Sequence, residues 1–372
     1  MTWRRALSVA LALALALLLL LVVYDRPLRL MPWRKRSAQP EAAERRTNRG
    51  PALATLGRGK GDGVDLFKGE PLLGEEHIFF VETSCALDKP QHVPYDSESG
   101  LRLSPRGACA VEAAAAAHPT HRVYLVHTCD VHRRSLAKDA APAYALAALS
   151  IPNVRLWAVP YALHFVGTPL QGWLASGALR ASRWPVVHAS DVLRFLLLWK
   201  YGGTYLDLDV LMLRSLGEKK NFGCAESPAA VSVGAFNFAL DDPGRRVANA
   251  CIAELLDYRP DLWSYNGPGA ITRALKKVCD VQEVLEMTEE MCGGFRLLST
   301  STFYAIPWQN WNLFFTEESS EEIMMMIGKN LAVHVWNALS HNTTIYTSSE
   351  QPYAQIARRV CPNVVAAVGD TM

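Results

Sequence analysis

From His77 onward, short apolar runs alternate with longer ones in which apolar residues recur every three or four positions. His77 to Val81 and Val154 to Ala158 read as buried strands, and so does Arg122 to His127. Ser104-Pro105 can open a helix, with proline near its first position. The alanine-rich Cys109 to His118 continues that helix until Pro119. Ala143 to Leu149 reads as a helix, and Thr168-Pro169 begins another. Strand alternating with helix predicts an α/β domain with a mostly parallel sheet. Further on, Ser190 is placed to cap a helix carrying Val192, Leu193, Phe195, Leu196 and Trp199, which Gly202-Gly203 end. Tyr205-Leu206 then form the tail of a buried strand.

Beyond that point the pattern is less regular. Val231 to Leu240 is expected to be a core strand with one hydrogen-bonded amide, Asn237. Arg245 to Tyr258 reads as a helix stopped by Pro260, Asn266-Gly267-Pro268-Gly269 as a tight turn, and Ile271 to Val278 as a helix. Phe303 to Phe315 is rich in aromatic residues, and Leu331 to Val333 is a last short apolar segment.

The amino-terminal part follows other rules. Ala6 to Val23 is apolar apart from Ser8. At ~1.5 Å per residue it reaches roughly 27 Å as a helix, enough for a thin bilayer. An uncleaved signal anchor at 6–23 is expected, behind a cytoplasmic tail at 1–5; a cleaved signal peptide is the rival. Residues 24–74, rich in Arg, Gly and Pro, bury too little to order themselves and read as a flexible stem, leaving 75–372 as the folded domain. Arg26, Arg29, Arg34, Lys35 and Arg36 outnumber Arg4 and Arg5, which by the positive-inside rule favours the opposite orientation. The cysteines and the sequon at Asn342 favour a lumenal domain.

The 372 residues carry a net charge of only +2, so no nucleic-acid footprint is present. Eight cysteines without a C-x-x-C pair argue against a zinc module and for disulfides, with Cys279 and Cys292 the best local pair. Candidate chemistry centres on Asp207 and Asp209. In an extended segment, residues two apart point to one side, so both carboxylates can approach one hard cation. Unaided, two carboxylates that close resist joint ionisation. An isolated Asp-x-Asp is equally a solvated turn, but this one ends a buried strand, where ligands sit in open α/β sheets. Asp191 and Arg194 share a helix face, with a plain surface ion pair as the alternative. His334 and Trp336 share a face by period two, and a lone histidine is commonly a satisfied core group.

Asp191-x-x-Arg194 with Tyr201-Gly202-Gly203-x-Tyr205-x-Asp207-x-Asp209 resembles the sugar-donor site of the DXD glycosyltransferases. IFFVETS at Ile78–Ser84, CAVEAAAAAHP at Cys109–Pro119, NGP at Asn266–Pro268, FYAIPWQNW at Phe303–Trp311 and AVHVWN at Ala332–Asn337 extend the likeness. From Ile78 to Cys361 the chain is similar to the α-1,4-glycosyltransferases of glycosyltransferase family 32. That resemblance implies a GT-A-type, Rossmann-like nucleotide-sugar-binding domain whose mostly parallel central sheet is flanked by helices. It implies a UDP-sugar donor and a divalent cation, Mn2+ or similar, held by Asp207, Asp209 and His334. Asp191 and Arg194 are then expected at the sugar and diphosphate, and Glu82, Thr83 and Ser84 on the uridine side. Tyr205, Asn266 and Trp336 are further candidates for donor contact. The implied reaction retains configuration and places galactose, GalNAc or GlcNAc on a glycolipid or other glycan, at the Golgi membrane. The polar stretch from Cys85 to Gly107 departs from the galactosyltransferase branch beside the expected uridine pocket. The other reading is a non-catalytic lumenal glycan binder or partner, which has no need of a metal–diphosphate clamp. A glycoside hydrolase is disfavoured because the aspartates lie too close together for a nucleophile and an acid.

Overall fold

The computed structural model describes residues 69–86, 101–129, 131 and 141–372. The expected tail, anchor and most of the stem lie outside these. Among the described residues, no helix is long and apolar enough to cross a membrane.

The strands are β1 (His77–Glu82), β2 (Arg122–His127), β3 (Val154–Ala158), β4 (Gly203–Leu206), β5 (Val210–Met212), β6 (Phe222–Ser227), β7 (Ala230–Phe238), β8 (Arg296–Leu298) and β9 (Ala332–His334). The large sheet runs β3-β2-β1-β4-β7-β6-β8, and β5 pairs with β9 separately. β1 to β4 run parallel. β7 is antiparallel to both β4 and β6, and β8 is parallel to β6. The expected α/β class, with its mostly parallel sheet, is therefore observed. Every residue of β1 is buried, as suits a strand covered on both faces.

The main helices are α1 (Pro105–Ala117), α2 (Ala143–Leu149), α3 (Gln171–Ala175), α4 (Pro185–Tyr201), α5 (Gly244–Leu255), α6 (Pro268–Cys279), α7 (Ser320–Met326), α8 (Asn337–Ser340), α9 (Pro352–Val360) and α10 (Pro362–Val368). Core packing divides between the sheet's two faces. α1, α2, α9 and α10 share one hydrophobic cluster, and α4, α5 and α6 the other. The alanines of α1 let it sit close: Ala108, Ala110, Ala113 and Ala114 have almost no exposed surface. Glu112 of α1 accepts bonds from the Asn363 and Val364 amides at 3.1 and 2.8 Å, capping the first turn of α10 from a distance. Cys109–Cys361 fastens the same two elements. Cys279–Cys292 forms as expected, Cys85–Cys129 is the third disulfide, and Cys224 and Cys251 are buried thiols.

Two helix starts correct the sequence reading. α4 begins at Pro185, so Ser190 lies inside it and is not its cap. α6 begins at Pro268 instead of Ile271. In both, proline's fixed φ suits the first turn and its missing N–H is one the helix leaves unpaired anyway. Gly202 does end α4, at φ 68°. Gly203 follows at φ 98°, and a Cβ there would lie 2.7 Å from the His77 carbonyl oxygen. β4 can press against β1 only with glycine at that point.

Two buried histidines are locked neutral. His118 accepts from the Leu216 amide on Nε2 at 2.9 Å and donates through Nδ1 to the Ala114 carbonyl at 2.9 Å. His127 accepts from the Arg102 amide on Nε2 at 3.0 Å. Burial pushes each down to about 4. Their folded pKa lies below the unfolded value of about 6.5, so the unfolded chain takes up protons first. The stability they contribute is complete above that value and is lost as pH falls toward 4. Histidine NMR should show neither ring titrating above pH ~5, and a midpoint near 6.5 would contradict this assignment.

Candidate active site

β4 delivers the chain to the carboxyl edge of the sheet, and pairing changes there. Asp207 donates its amide to the Gly234 carbonyl at 2.8 Å, and Val210 donates to the Asp207 carbonyl at 2.9 Å. Asp207 and Asp209 therefore sit in a turn, not in an extended strand as the sequence reading had it. The chain leaves the large sheet at Leu206 and enters β5, which pairs with β9 so that Val210 faces His334. That ribbon brings a third group to the aspartates.

Asp207, Asp209 and His334 each offer a ligand atom, all within 4.8 Å of one another. His334 Nε2 is 3.2 Å from Asp209 Oδ1 and 3.9 Å from Asp207 Oδ2. The Trp336 amide donates to His334 Nδ1 at 3.3 Å, which leaves Nε2 facing the carboxylates. The Asn337 amide, at the start of α8, donates to Asp209 Oδ2 at 2.7 Å. Burial opposes the charge on Asp209, but His334 and the Asn337 amide hold its carboxyl below the usual range. Burial likewise opposes protonation of His334, yet Asp209 and Asp207 raise it.

The opposite side of Asp207 is held from α4. Arg194 Nη1 lies 2.9 Å from Asp207 Oδ1, and Nη2 lies 3.3 Å from Asp191 Oδ1. Arg194 also donates to the Val233 carbonyl and to Ser190 Oγ, each at 2.7 Å. Tyr205 donates its hydroxyl to Asp207 Oδ1 at 2.7 Å, and its ring lies 4.6 Å from the guanidinium. Burial works against the guanidinium, but Asp207, Tyr205 and Asp191 keep it charged. Asp191 is different. Its Oδ2 is buried and has no partner among the described residues. Burial lifts its carboxyl to about 6. A Cβ at Gly267 would lie 2.6 Å from that oxygen, so only glycine lets the backbone pass this close to the carboxylate.

Two carboxylates and one imidazole nitrogen converging on a point suit a hard or borderline divalent cation such as Mn2+. The unpaired Asp191 oxygen leaves an acceptor for a ligand hydroxyl. The residues present fit the expected group.

Other candidates are placed less directly. Asn266 accepts from the Arg259 amide at 2.9 Å and donates to the Arg259 carbonyl at 2.7 Å, so its amide latches a loop beside Gly267 and does not reach the carboxylates. Glu82 turns inward: its Oε1 accepts from the Ser84 amide at 2.9 Å, and its Oε2 is 3.3 Å from His127 Nε2. Thr83 donates to the Val186 carbonyl at 2.9 Å. Glu82, His127 and Cys129 have metal-ligand spacing, but Cys129 is bonded to Cys85 and offers no thiolate. Trp336 adopts φ 53°, donates its indole N–H to the Ile306 carbonyl at 2.9 Å and sets its ring 4.3 Å from His334. Asn342 is exposed.

Several groups escaped sequence reasoning. Tyr304 is buried against His334, their rings 5.4 Å apart, and accepts from Ser232 Oγ at 2.6 Å. Gly234 leaves room there, since a Cβ would lie 2.8 Å from the Tyr304 hydroxyl and 3.0 Å from Asp207 Oδ2. The Asn337 amide carries no side-chain signal. Tyr304 did lie in the aromatic stretch, but nothing in that stretch singles it out.

Residues 104–227 match the glycosyltransferase sugar-binding region containing the DXD motif, and residues 240–368 the α-1,4-glycosyltransferase conserved region. The mouse (Mus musculus) lactosylceramide 4-α-galactosyltransferase is 32% identical over 300 residues, covering 78% of this chain and 76% of that one. The human (Homo sapiens) α-1,4-N-acetylglucosaminyltransferase is 25% identical over 288 residues, covering 77% and 78%. Among solved structures, the PaToxG glycosyltransferase aligns at TM-score 0.38 and 12% identity, over 80% of this chain and 89% of that one. The chain belongs to the α-1,4-glycosyltransferase family, and it is a glycosyltransferase.

Proposed function

We propose that the enzyme transfers galactose, GalNAc or GlcNAc from a UDP-sugar, in α-1,4 linkage and with retention, to a lactosylceramide-like glycolipid or related glycan. It works as a type II Golgi membrane protein with its folded domain in the lumen. The observation that carries this reading is the convergence of Asp207, Asp209 and His334 at the carboxyl edge of β4, with Asp191 and Arg194 beside them. The acceptor follows the relatives' names, and the anchor follows the apolar run at 6–23.

Asp207, Asp209 and His334 hold the cation in this reading. When bound, it supplies positive charge against the charge growing on departing UDP. Arg194 fixes the orientation of Asp207, and Tyr205 steadies the same oxygen. Asp191 Oδ2 accepts a bond from a donor-sugar hydroxyl. Thr83 and Ser84 lie on the uridine side, at the end of β1. The acceptor hydroxyl oxygen attacks the anomeric carbon on the face that UDP leaves. The carbon–oxygen bond to phosphate breaks, and a phosphate oxygen takes the hydroxyl proton. A covalent sugar trapped on any carboxylate of this site would rule out that route.

The test is direct. Purified enzyme receives Mn2+, a lactoside acceptor and UDP-galactose, UDP-GalNAc or UDP-GlcNAc in turn. UDP release that is strong with one donor and stopped by chelator is expected, with an α-1,4 product by NMR. No release with any donor would leave the glycan-binding relative as the better reading.

A further inference from the structure

Strand β6 contains one residue more than its pairing needs. Ala225 faces Val231 and Ser227 faces Ala230, so Glu226 has no cross-strand partner. Such bulges re-aim a side chain and recur beside active sites. Just before the bulge, Cys224 lies opposite Ser232. Ser232 is the residue that holds the Tyr304 hydroxyl. The charge of Glu226 acts on both Tyr304 and His334. Its carboxyl is half-buried, and among the described residues it accepts no hydrogen bond and makes no ion pair. Burial without a partner is costly for a carboxylate, and a ligand hydroxyl would relieve it.

Position indicates which ligand. β4 stops with Leu206 opposite Ala235, whereas β7 reaches back to Ala230. The β6–β7 arm therefore extends past the aspartates. β4 and β7 stand between β6 and β1, whose end carries Thr83 and Ser84. Asp191 and Arg194 approach from α4, where Phe195 packs on Phe236, in the hydrophobic cluster opposite the one containing Tyr304. The half-buried Trp336 belongs to the Tyr304 side, and the charge of Glu226 reaches Tyr304 and His334. An aromatic ring and a free carboxylate at one site suit a sugar, with its apolar face and its hydroxyl edge.

We infer that Glu226 binds the acceptor, accepting a hydrogen bond from one hydroxyl of the acceptor sugar. This rests on the reading of the site as a UDP-sugar transferase.

The probes are p-nitrophenyl β-lactoside and its monodeoxy analogues, with Glu226→Ala and Glu226→Gln. A bond to a charged group is worth roughly tenfold or more, so lactoside KM should rise about tenfold or more in Glu226→Ala. Transfer should fall against donor hydrolysis by a similar factor. One monodeoxy lactoside should lose about tenfold with the parent and nothing further with Glu226→Ala, a pattern that a loss of folding cannot imitate. Lactoside KM within about threefold of the parent, or equal losses for every deoxy analogue in both proteins, would overturn the inference. Calorimetric titration of lactoside into protein loaded with Mn2+ and UDP separates the two claims. Glu226-dependent lactoside binding without turnover of any UDP-sugar would end the transferase reading and leave the acceptor site standing. Turnover with no effect of Glu226 on lactoside would do the reverse.

Discussion

Replacing Asp209 by asparagine is expected to slow sugar transfer by about 100- to 1,000-fold at saturating donor and manganese. Asparagine keeps one oxygen for the Asn337 amide, which lies 2.7 Å from Oδ2, and turns an NH2 toward His334 Nε2, which lies 3.2 Å from Oδ1. It removes the charge that draws a cation to the site. The melting temperature should fall less than in Asp209→Ala, because the Asn337 amide keeps its acceptor. Asp209→Ala should lose the same activity and stability as well, because the Asn337 amide is then left without its acceptor, at about 1–3 kcal/mol. Asp207→Ala strips a partner from a buried guanidinium that sits 2.9 Å away. Breaking one side of a buried pair costs about 3–5 kcal/mol. UDP release across a manganese titration, beside thermal melts of all three variants, separates lost ligand from lost fold. Transfer by Asp209→Asn within about threefold of the parent, with unaltered manganese dependence, would remove the basis of the proposed mechanism.

The second large effect is on stability. Cys109 and Cys361 are 252 residues apart in sequence, and their disulfide ties α1 to the start of α10. In the chain-entropy account a loop that long gives about 5 kcal/mol, and measured values run from about 2 to 5. Glu112 supports the same junction by capping α10. Cys109→Ser with Cys361→Ser should lower the melting temperature by roughly 6 °C, taking ~4 kcal/mol and the usual unfolding entropy for a domain of this size. Cys279–Cys292 closes a loop of only 13 residues and should matter less. A double-serine variant that melts with the parent would show that helix packing alone holds the junction.

Much of this was legible in the chain because the information is local. Four consecutive apolar residues in β1, Ile78 to Val81, can be satisfied only between two covered faces. Gly202-Gly203 must end α4, since the next strand has no room for a side chain. Asp191 and Arg194 meet because three residues on a helix is a contact distance. Where the reading slipped, two local signals competed. Ser190 is a good capping residue, but Pro185 starts the helix sooner, and the serine hydroxyl instead accepts from Arg194.

What the sequence settles by itself is the strand–helix alternation, the stop of α4 at Gly202 and the placing of two aspartates after a buried strand. Each depends on residues within a turn or two of one another. The tertiary structure alone decides what surrounds those aspartates. His334 arrives because β9 pairs with β5, Gly234 because β7 pairs with β4, and the Asn337 amide across a separation of 128 residues. Glu226 is left without a cross-strand partner by a one-residue mismatch between neighbouring strands. Register between distant strands is a property of the whole packed sheet, and no window of sequence contains it.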